Sequence, residues 1–189
     1  MPRMPEHLRI ELAAIEPLDE IEQAHLADAL AWIASGAPLY RTAKPATPPK
    51  HLVAYFAVVH EDHILLVNHR NALKWLPTGG HVEPHEDPRS TVVRELQEEL
   101  GLEIDQEQLA PPHMVTVSET VGLTVGHVDV SLWYSVKASR STAFRFDCEE
   151  FGEARWFSFE EASQLRSDPH LARFLSKLRA DTACQAPTP

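Results

Sequence analysis

The run Leu52–Val59 (LVAYFAVV) is apolar on both alternations, which predicts a strand buried on both faces. His60-Glu61-Asp62-His63 follows as a polar turn, and Ile64–Val67 (ILLV) reads as the returning strand. Farther on, Val128, Val130, Leu132, Tyr134 and Val136 alternate with Asp129, Ser131, Trp133 and Ser135, a period of two that predicts a half-buried strand. Arg155-Trp156-Phe157 reads as one further strand, followed by a short helix near Phe159–Leu165. A closing helix is predicted over Pro169–Leu178, with Leu171, Phe174, Leu175 and Leu178 on its inner face.

Two further segments repeat at the helical period. Asp19–Gly36 begins with capping-box-like spacing (Asp19, Glu22) and ends on a glycine. Leu26, Ala29, Leu30 and Ile33 share one face of it, while Ile21, Ala24 and Trp32 are apolar on the other. Such a helix is covered twice, either within its own chain or by a partner subunit in a homodimer. The second helix is delimited by Asp87 as N-cap, Pro88 at its first position and Gly101 as its stop. Val92, Val93, Leu96 and Leu100 form its core face, and Glu95, Glu98 and Glu99 cluster on a neighbouring arc. Lys44–Lys50, with three prolines, reads as a linker, and Asp181–Pro189 as a frayed tail. These boundaries divide the chain into an N-terminal helical extension with its linker (1–50), a main domain (51–180) and a disordered tail (181–189). No internal repeat is visible.

Composition narrows the class. The chain has 189 residues, enough for one domain with an extension, and its 43% hydrophobic content is that of a globular protein. Seventeen basic against 28 acidic side chains leave a net charge of −11, which excludes a general nucleic-acid or anionic-membrane binder. Cys148 and Cys184 are far apart and form no CxxC pair, so neither a disulfide framework nor a thiolate zinc site is expected. The N-terminus lacks the apolar stretch of a signal peptide, and Leu52–Val59 is far too short to span a bilayer. A soluble, reducing, cytoplasmic setting is expected.

The charge clustered at Glu95, Glu98 and Glu99 is where composition becomes chemistry. Glu95 and Glu99 are a like-charge i,i+4 pair, which destabilises a helix by a few tenths of a kcal/mol in water. Only Arg94, four residues before Glu98, gives local relief. Three carboxylates within one and a half turns suit a hard divalent cation such as Mg²⁺, which shares its coordination with substrate phosphates. A merely acidic, solvated helix face fits the spacing equally well. Pro77-Thr78-Gly79-Gly80 reads as a loop whose glycines remove bulk where backbone must approach a ligand, and a carbonyl there can complete an oxygen shell. A plain glycine turn accounts for the glycines but not for the glutamates beside them.

Gly80, Glu86, Arg94, Glu95, Leu96, Glu98, Glu99, Gly101 and Leu102 match the signature of the Nudix hydrolases at every fixed position (Gly-x5-Glu-x7-Arg-Glu-aliphatic-x-Glu-Glu-x-Gly-aliphatic). The chain thus resembles that MutT-like family over about Leu52–Leu178, with the first fifty residues outside. The resemblance implies an α/β fold, an α/β/α sandwich with a mixed sheet, here carrying an N-terminal helical extension. It implies hydrolysis of a nucleoside diphosphate linked to another moiety, such as a nucleoside triphosphate or a nucleotide sugar, with Mg²⁺ (or Mn²⁺) as cofactor. Carried over, Glu95 and Glu99 are the principal metal ligands, Glu98 assists, and the Gly79 carbonyl is a further ligand. Arg94 orients Glu95, while Glu86 pairs with Arg94 and Gly80 and Gly101 serve as scaffold. His85 stands where many members have glycine, and His81 and His85 bring two imidazoles close to the site, as loop residues or as metal or phosphate contacts.

The general base does not transfer with the signature. Candidates are Glu149 and Glu150 in Asp147–Glu153, a loop that reads equally as solvated acidic surface. Substrate contacts are expected from His69 and Arg70 at a strand end, and from Trp75. Tyr55, Phe56 and Trp133 either stack on a base or belong to the core. Val115–Thr120 (VTVSET) holds neither the Pro nor the Tyr that marks two subfamilies. The competing reading is a non-catalytic module of the same fold that binds nucleotides for regulation; its eroded boxes contrast with the intact carboxylates here.

Overall fold

The structure, a computed structural model, describes residues 6–44, 47–120 and 126–184. Its elements in order are α1 (Glu6–Ala13), α2 (Glu20–Ala34), β1 (Lys50–His60), β2 (His63–His69), β3 (Lys74–Leu76), β4 (Thr78–His81), α3 (Pro88–Leu100), a short 3₁₀ turn (Gln106–Gln108), β5 (Met114–Glu119), β6 (Val128–Lys137), β7 (Phe151–Ser158), α4 (Phe159–Gln164) and α5 (Leu171–Cys184). The doubly apolar run does become the buried strand β1, and the reason is its pairing. Along one edge β1 pairs with β6 in parallel over its length, and its other edge is shared antiparallel by β4 and the start of β2. The sheet is therefore mixed, in the order β3-β2-β1-β6-β5, with β7 on β2.

Alternate residues of β1 divide the core. Leu52, Ala54, Phe56 and Val58 pack with Val92, Leu96 and Leu100 of α3 and with Leu8, Leu12, Leu26, Ala29 and Ile33 of α1 and α2. Ala57 and Val59 pack on the opposite face with Phe159 of α4 and Leu171, Phe174, Leu175 and Leu178 of α5. The result is a three-layer α/β/α arrangement. No helix among the described residues is long and apolar enough to cross a membrane.

Several expectations change. Thr78–His81, read as part of a loop, is the strand β4, in register with Val53–Phe56 of β1. β6, read as half-buried, lies inside the sheet with Trp133 buried under Phe174, because β5 covers its outer edge and α5 its second face. The strands β3 and β5 and the helix α1 were not anticipated; β3 is three residues long, and α1 is too short for its period to stand out. α5 continues through Cys184, into the segment expected to fray, and residues 185–189 lie outside the described residues.

The N-terminal helices join the same core. Glu22, only 1% exposed, accepts from Lys177 of α5 and from the Leu18 amide at 2.8 Å, while Asp19 caps α2 and binds Arg173 at 2.8 Å. His25 accepts the Val117 N–H at 3.0 Å, so α2 occupies part of the outer edge of β5, which would otherwise be open to pairing. One side of α2 is buried; on the other, Trp32 is partly buried against the core while Ile21 is 54% exposed among the described residues.

Since Leu12 is fully buried in the main core, Leu12→Ala should cost roughly 2–5 kcal/mol of global stability. Urea unfolding monitored by fluorescence should show one transition at a lower midpoint. Two separate transitions would mean that the N-terminal helices fold independently.

Candidate functional site

α3 begins where Asp87 accepts the Arg89 amide at 2.8 Å, and it ends where Gly101 turns left-handed (φ 65°). Between these caps Leu96 and Leu100 fix the rotation of the helix on the sheet, which turns Glu95 and Glu99 toward β4. The approach is close. A Cβ on Gly80 would lie 1.8 Å from Glu95 Oε1, and one on Gly79 would lie 2.7 Å from the Ala54 carbonyl and the Tyr55 ring. The two glycines are needed for helix-to-strand and strand-to-strand contact, with ordinary extended backbone, rather than for a turn.

Arg94 holds this corner together. Its Nε and Nη2 grip Glu86 in a fork at 3.0 and 3.1 Å, its Nη1 donates to Glu95 at 2.7 Å, and its Nη2 also reaches the His81 carbonyl at 3.3 Å. Glu98, mostly exposed, stands 3.5 Å from Nη1. Burial pushes the Glu86 carboxyl up, but Arg94, the Glu83 amide and Thr91 outweigh it and hold it below its ordinary value. The Arg94 guanidinium is raised in turn, by its bonds to Glu86 first.

Glu99 is the anomaly. It is 6% exposed, and its Oε2 has no hydrogen-bond partner among the described residues. Burial drives its pKa up to about 9, with Glu95, Glu150 and Glu98 adding to the rise and the Gly79 amide opposing it. Glu95 is raised for the same leading reason, with Glu98 and Glu150 contributing and Arg94 opposing. A buried carboxylate oxygen with no donor, beside two more carboxylates, is the environment that a hard divalent cation relieves.

The acidic loop arrives here through helix-end chemistry. The Arg145 and Asp147 amides donate to the Leu100 and Glu99 carbonyls at 3.0 and 3.1 Å, satisfying two groups that the end of α3 leaves open. That docking delivers Glu150 close enough to affect both Glu95 and Glu99. His69 Nε2 stands 3.2 Å from Glu150 Oε1. Arg70 donates its amide to the Glu150 carbonyl at 3.0 Å and its Nε to the Cys148 and Phe151 carbonyls at 3.1 and 3.3 Å, so it ties the loop down. Glu149 is exposed, its amide bonded to Asp147 at 2.7 Å. Trp75 lies edge-on to Phe157, with the Arg155 guanidinium 5.0 Å from its ring centre. His85 is exposed with φ 71°, whereas His81 joins His51, His127 and Asp129. Of this group only His81 is singled out by the sequence, because the members lie on β1, at the end of β4, and on and just before β6; the local signal for the others is His-x-Asp at 127–129.

Comparisons with known proteins identify the family and the fold. The family model described as the NUDIX domain matches residues 50–178. Among solved structures the chain is similar to the E. coli ORF135 protein, with 25% identity and a TM-score of 0.57 over 75% of this chain and 97% of that one. It is also similar to a C. elegans Ap4A hydrolase (21%, TM-score 0.59, 70% and 98% covered) and to the E. coli dihydroneopterin triphosphate pyrophosphohydrolase (16%, TM-score 0.55, 66% and 94% covered). The likeness to the last two is one of fold.

A pH dependence follows from Glu99. Folded, its carboxyl holds a proton up to about pH 9; unfolded, it releases it near 4.5, so the folded state binds more protons between those values. Metal-free protein should lose stability as pH rises through that window, and Glu99→Gln should flatten the slope. Thermal melts at pH 6 and 8.5 read this directly, and added Mg²⁺ should raise Tm more at pH 8.5, where the carboxylate is easier to free of its proton.

Proposed function

The chain belongs to the Nudix family, and from that premise we propose that it hydrolyses a phosphoanhydride bond in a nucleoside diphosphate linked to another moiety. The observation that carries this reading is the partnerless, buried Oε2 of Glu99 beside Glu95 and within the influence of Glu150. Glu95, Glu98 and Glu99 would hold Mg²⁺, with Mn²⁺ as a substitute and the Gly79 carbonyl as a further ligand; the all-oxygen donor set fits such a hard ion. Bound there, the cation supplies positive charge against the diphosphate and lowers the pKa of the attacking water.

The chain's own residues do the rest. Arg94 keeps the Glu95 carboxylate aimed and opposes the rise that burial gives its pKa, and Glu86 keeps Arg94 in place. Glu150 is our choice for the general base, since His69 contacts its carboxylate and Arg70 fixes its backbone. In this reading Arg70 is a positioning residue rather than a phosphate ligand. Trp75, engaged by Arg155 and Phe157, shapes the sheet end rather than stacking on a base.

Chromatographic analysis of the nucleotide products formed from nucleoside triphosphates, nucleotide sugars, ADP-ribose and dinucleoside polyphosphates, with and without Mg²⁺, tests the activity and identifies the leaving group. No cleavage of any of them would favour the non-catalytic nucleotide-binding alternative. Glu99→Gln should abolish Mg²⁺-dependent turnover while circular dichroism stays native. Glu150→Gln should lower kcat by about 100-fold or more, whereas Glu149→Gln should stay near the parent. The reverse ranking would move the base to Glu149.

A further inference from the structure

Three imidazoles and a carboxylate meet on the sheet face opposite α3. His51 opens β1, Asp129 is its parallel partner on β6, His127 lies two residues before Asp129, and His81 ends β4 opposite Val53. One donor atom from each falls within 4.8 Å of all the others. His51 and His127 place Nε2 3.3 Å from the same Asp129 Oδ1, and His81 Nε2 is 4.0 Å from it. His51 is fully buried.

The partners of these rings determine where their protons are. His51 Nδ1 is 2.9 Å from the Pro48 carbonyl, which can only accept, so the proton is on Nδ1 and Nε2 carries a lone pair. The Thr120 hydroxyl donates to the His127 carbonyl at 3.2 Å and stands 3.3 Å from His127 Nδ1, so that nitrogen donates to it and Nε2 again carries the lone pair. Arg41 Nη1 is 3.1 Å from His81 Nε2, and a guanidinium cannot accept, so His81 too presents a lone pair. Three nitrogen lone pairs and a carboxylate thus lie within 4.8 Å of one another, that of His81 engaged by Arg41. His51 Nε2 and Asp129 Oδ1 are buried there without a hydrogen-bond partner, and Arg41 reaches only the His81 side. Like acceptors packed this way repel unless a cation sits among them.

We propose that His51, His81, His127 and Asp129 bind a divalent transition ion, Zn²⁺ by ligand type, at a site separate from the carboxylates of α3. A tetrahedral shell with bonds of roughly 2.0–2.1 Å sets its donors roughly 3.3 Å apart, the separation already present at two of the three histidines. Imidazole nitrogen selects this class over Mg²⁺. The Pro48 carbonyl and Thr120 hydroxyl supply the outer hydrogen bonds that orient two of the ligating rings. The ion would displace the half-exposed Arg41 from His81 and would pin the end of β4 to β1 and β6. Gly80, which receives Glu95, immediately precedes His81, so the second ion would stiffen the strand that carries the first site.

Full-length protein, stripped of metal and then held in excess Mg²⁺, should take up one equivalent of Co²⁺ with the visible spectrum of a tetrahedral nitrogen-and-oxygen site, and Zn²⁺ should displace it. Glu95→Gln/Glu99→Gln should keep that equivalent. His127→Gln and Asp129→Asn should each weaken Zn²⁺ binding by at least tenfold in equilibrium dialysis. Absence of any tetrahedral Co²⁺ signal in the unaltered protein would overturn the proposal without reliance on any variant. So would binding that survives both His127→Gln and Asp129→Asn, or that disappears with Glu95→Gln/Glu99→Gln. None of these readouts depends on phosphohydrolase activity.

Discussion

Arg94 directs its guanidinium at three parts of the chain at once: Glu86 in the loop before α3, the His81 carbonyl at the end of β4, and Glu95 on its own helix. A planar fork with fixed donors can meet all of these only if loop, strand and helix stand in one relation to one another. The pair is partly buried, so removing either partner would leave a charge without compensation, a change that typically costs several kcal/mol. Glu95 can press against Gly80 because Arg94 holds it there, and Gly80 can accept it only because no Cβ intervenes. The rest of the candidate centre is arranged around that corner.

Around it the protein gathers like charge instead of dispersing it. Burial raises Glu95 and Glu99, the charges of Glu98 and Glu150 add to both rises, and Arg94 opposes the trend at Glu95 as the Gly79 amide does at Glu99. A net charge of −11 looks unsuited to a phosphate-rich ligand. In the function proposed above, the part of that charge on one helix face and one docked loop would form a cation site, and a bound cation would reverse the sign that an approaching phosphate meets. The histidine group on the opposite sheet face follows the same logic with softer ligands. There the unsatisfied atoms among the described residues are an imidazole nitrogen of His51 and a carboxylate oxygen of Asp129, and Arg41 places a positive charge beside His81.

The N-terminal helices show how an appended segment joins a fold. Leu8, Leu12 and Ile33 extend one core, Lys177 and Arg173 of α5 clasp Glu22 and Asp19, and His25 shields the edge of β5. Apolar burial and edge protection account for these helices without any role at the site. Ile10 and Ile21 on these helices, and Leu18 between them, stay exposed among the described residues.

Local signals were legible wherever one stretch of chain carries the whole cause. The caps of α3, its core stripe, the doubly buried β1 and the clustering of Glu95, Glu98 and Glu99 all follow from spacing, since periodicity and capping act within a few residues. The strand β4 escaped that reading because two glycines in four residues carry no alternation, and it exists through its pairing with β1. The depth of Glu99, the choice of Glu150 over Glu149 as the neighbour of the box, and the meeting of His51, His81, His127 and Asp129 depend on contacts between segments far apart in the chain. By itself, then, the sequence determined the helix that bears the carboxylates and the chemistry they suit. Only the tertiary structure decided which of those groups are desolvated and what faces them, because burial and charge proximity are properties of packed segments and not of residue order.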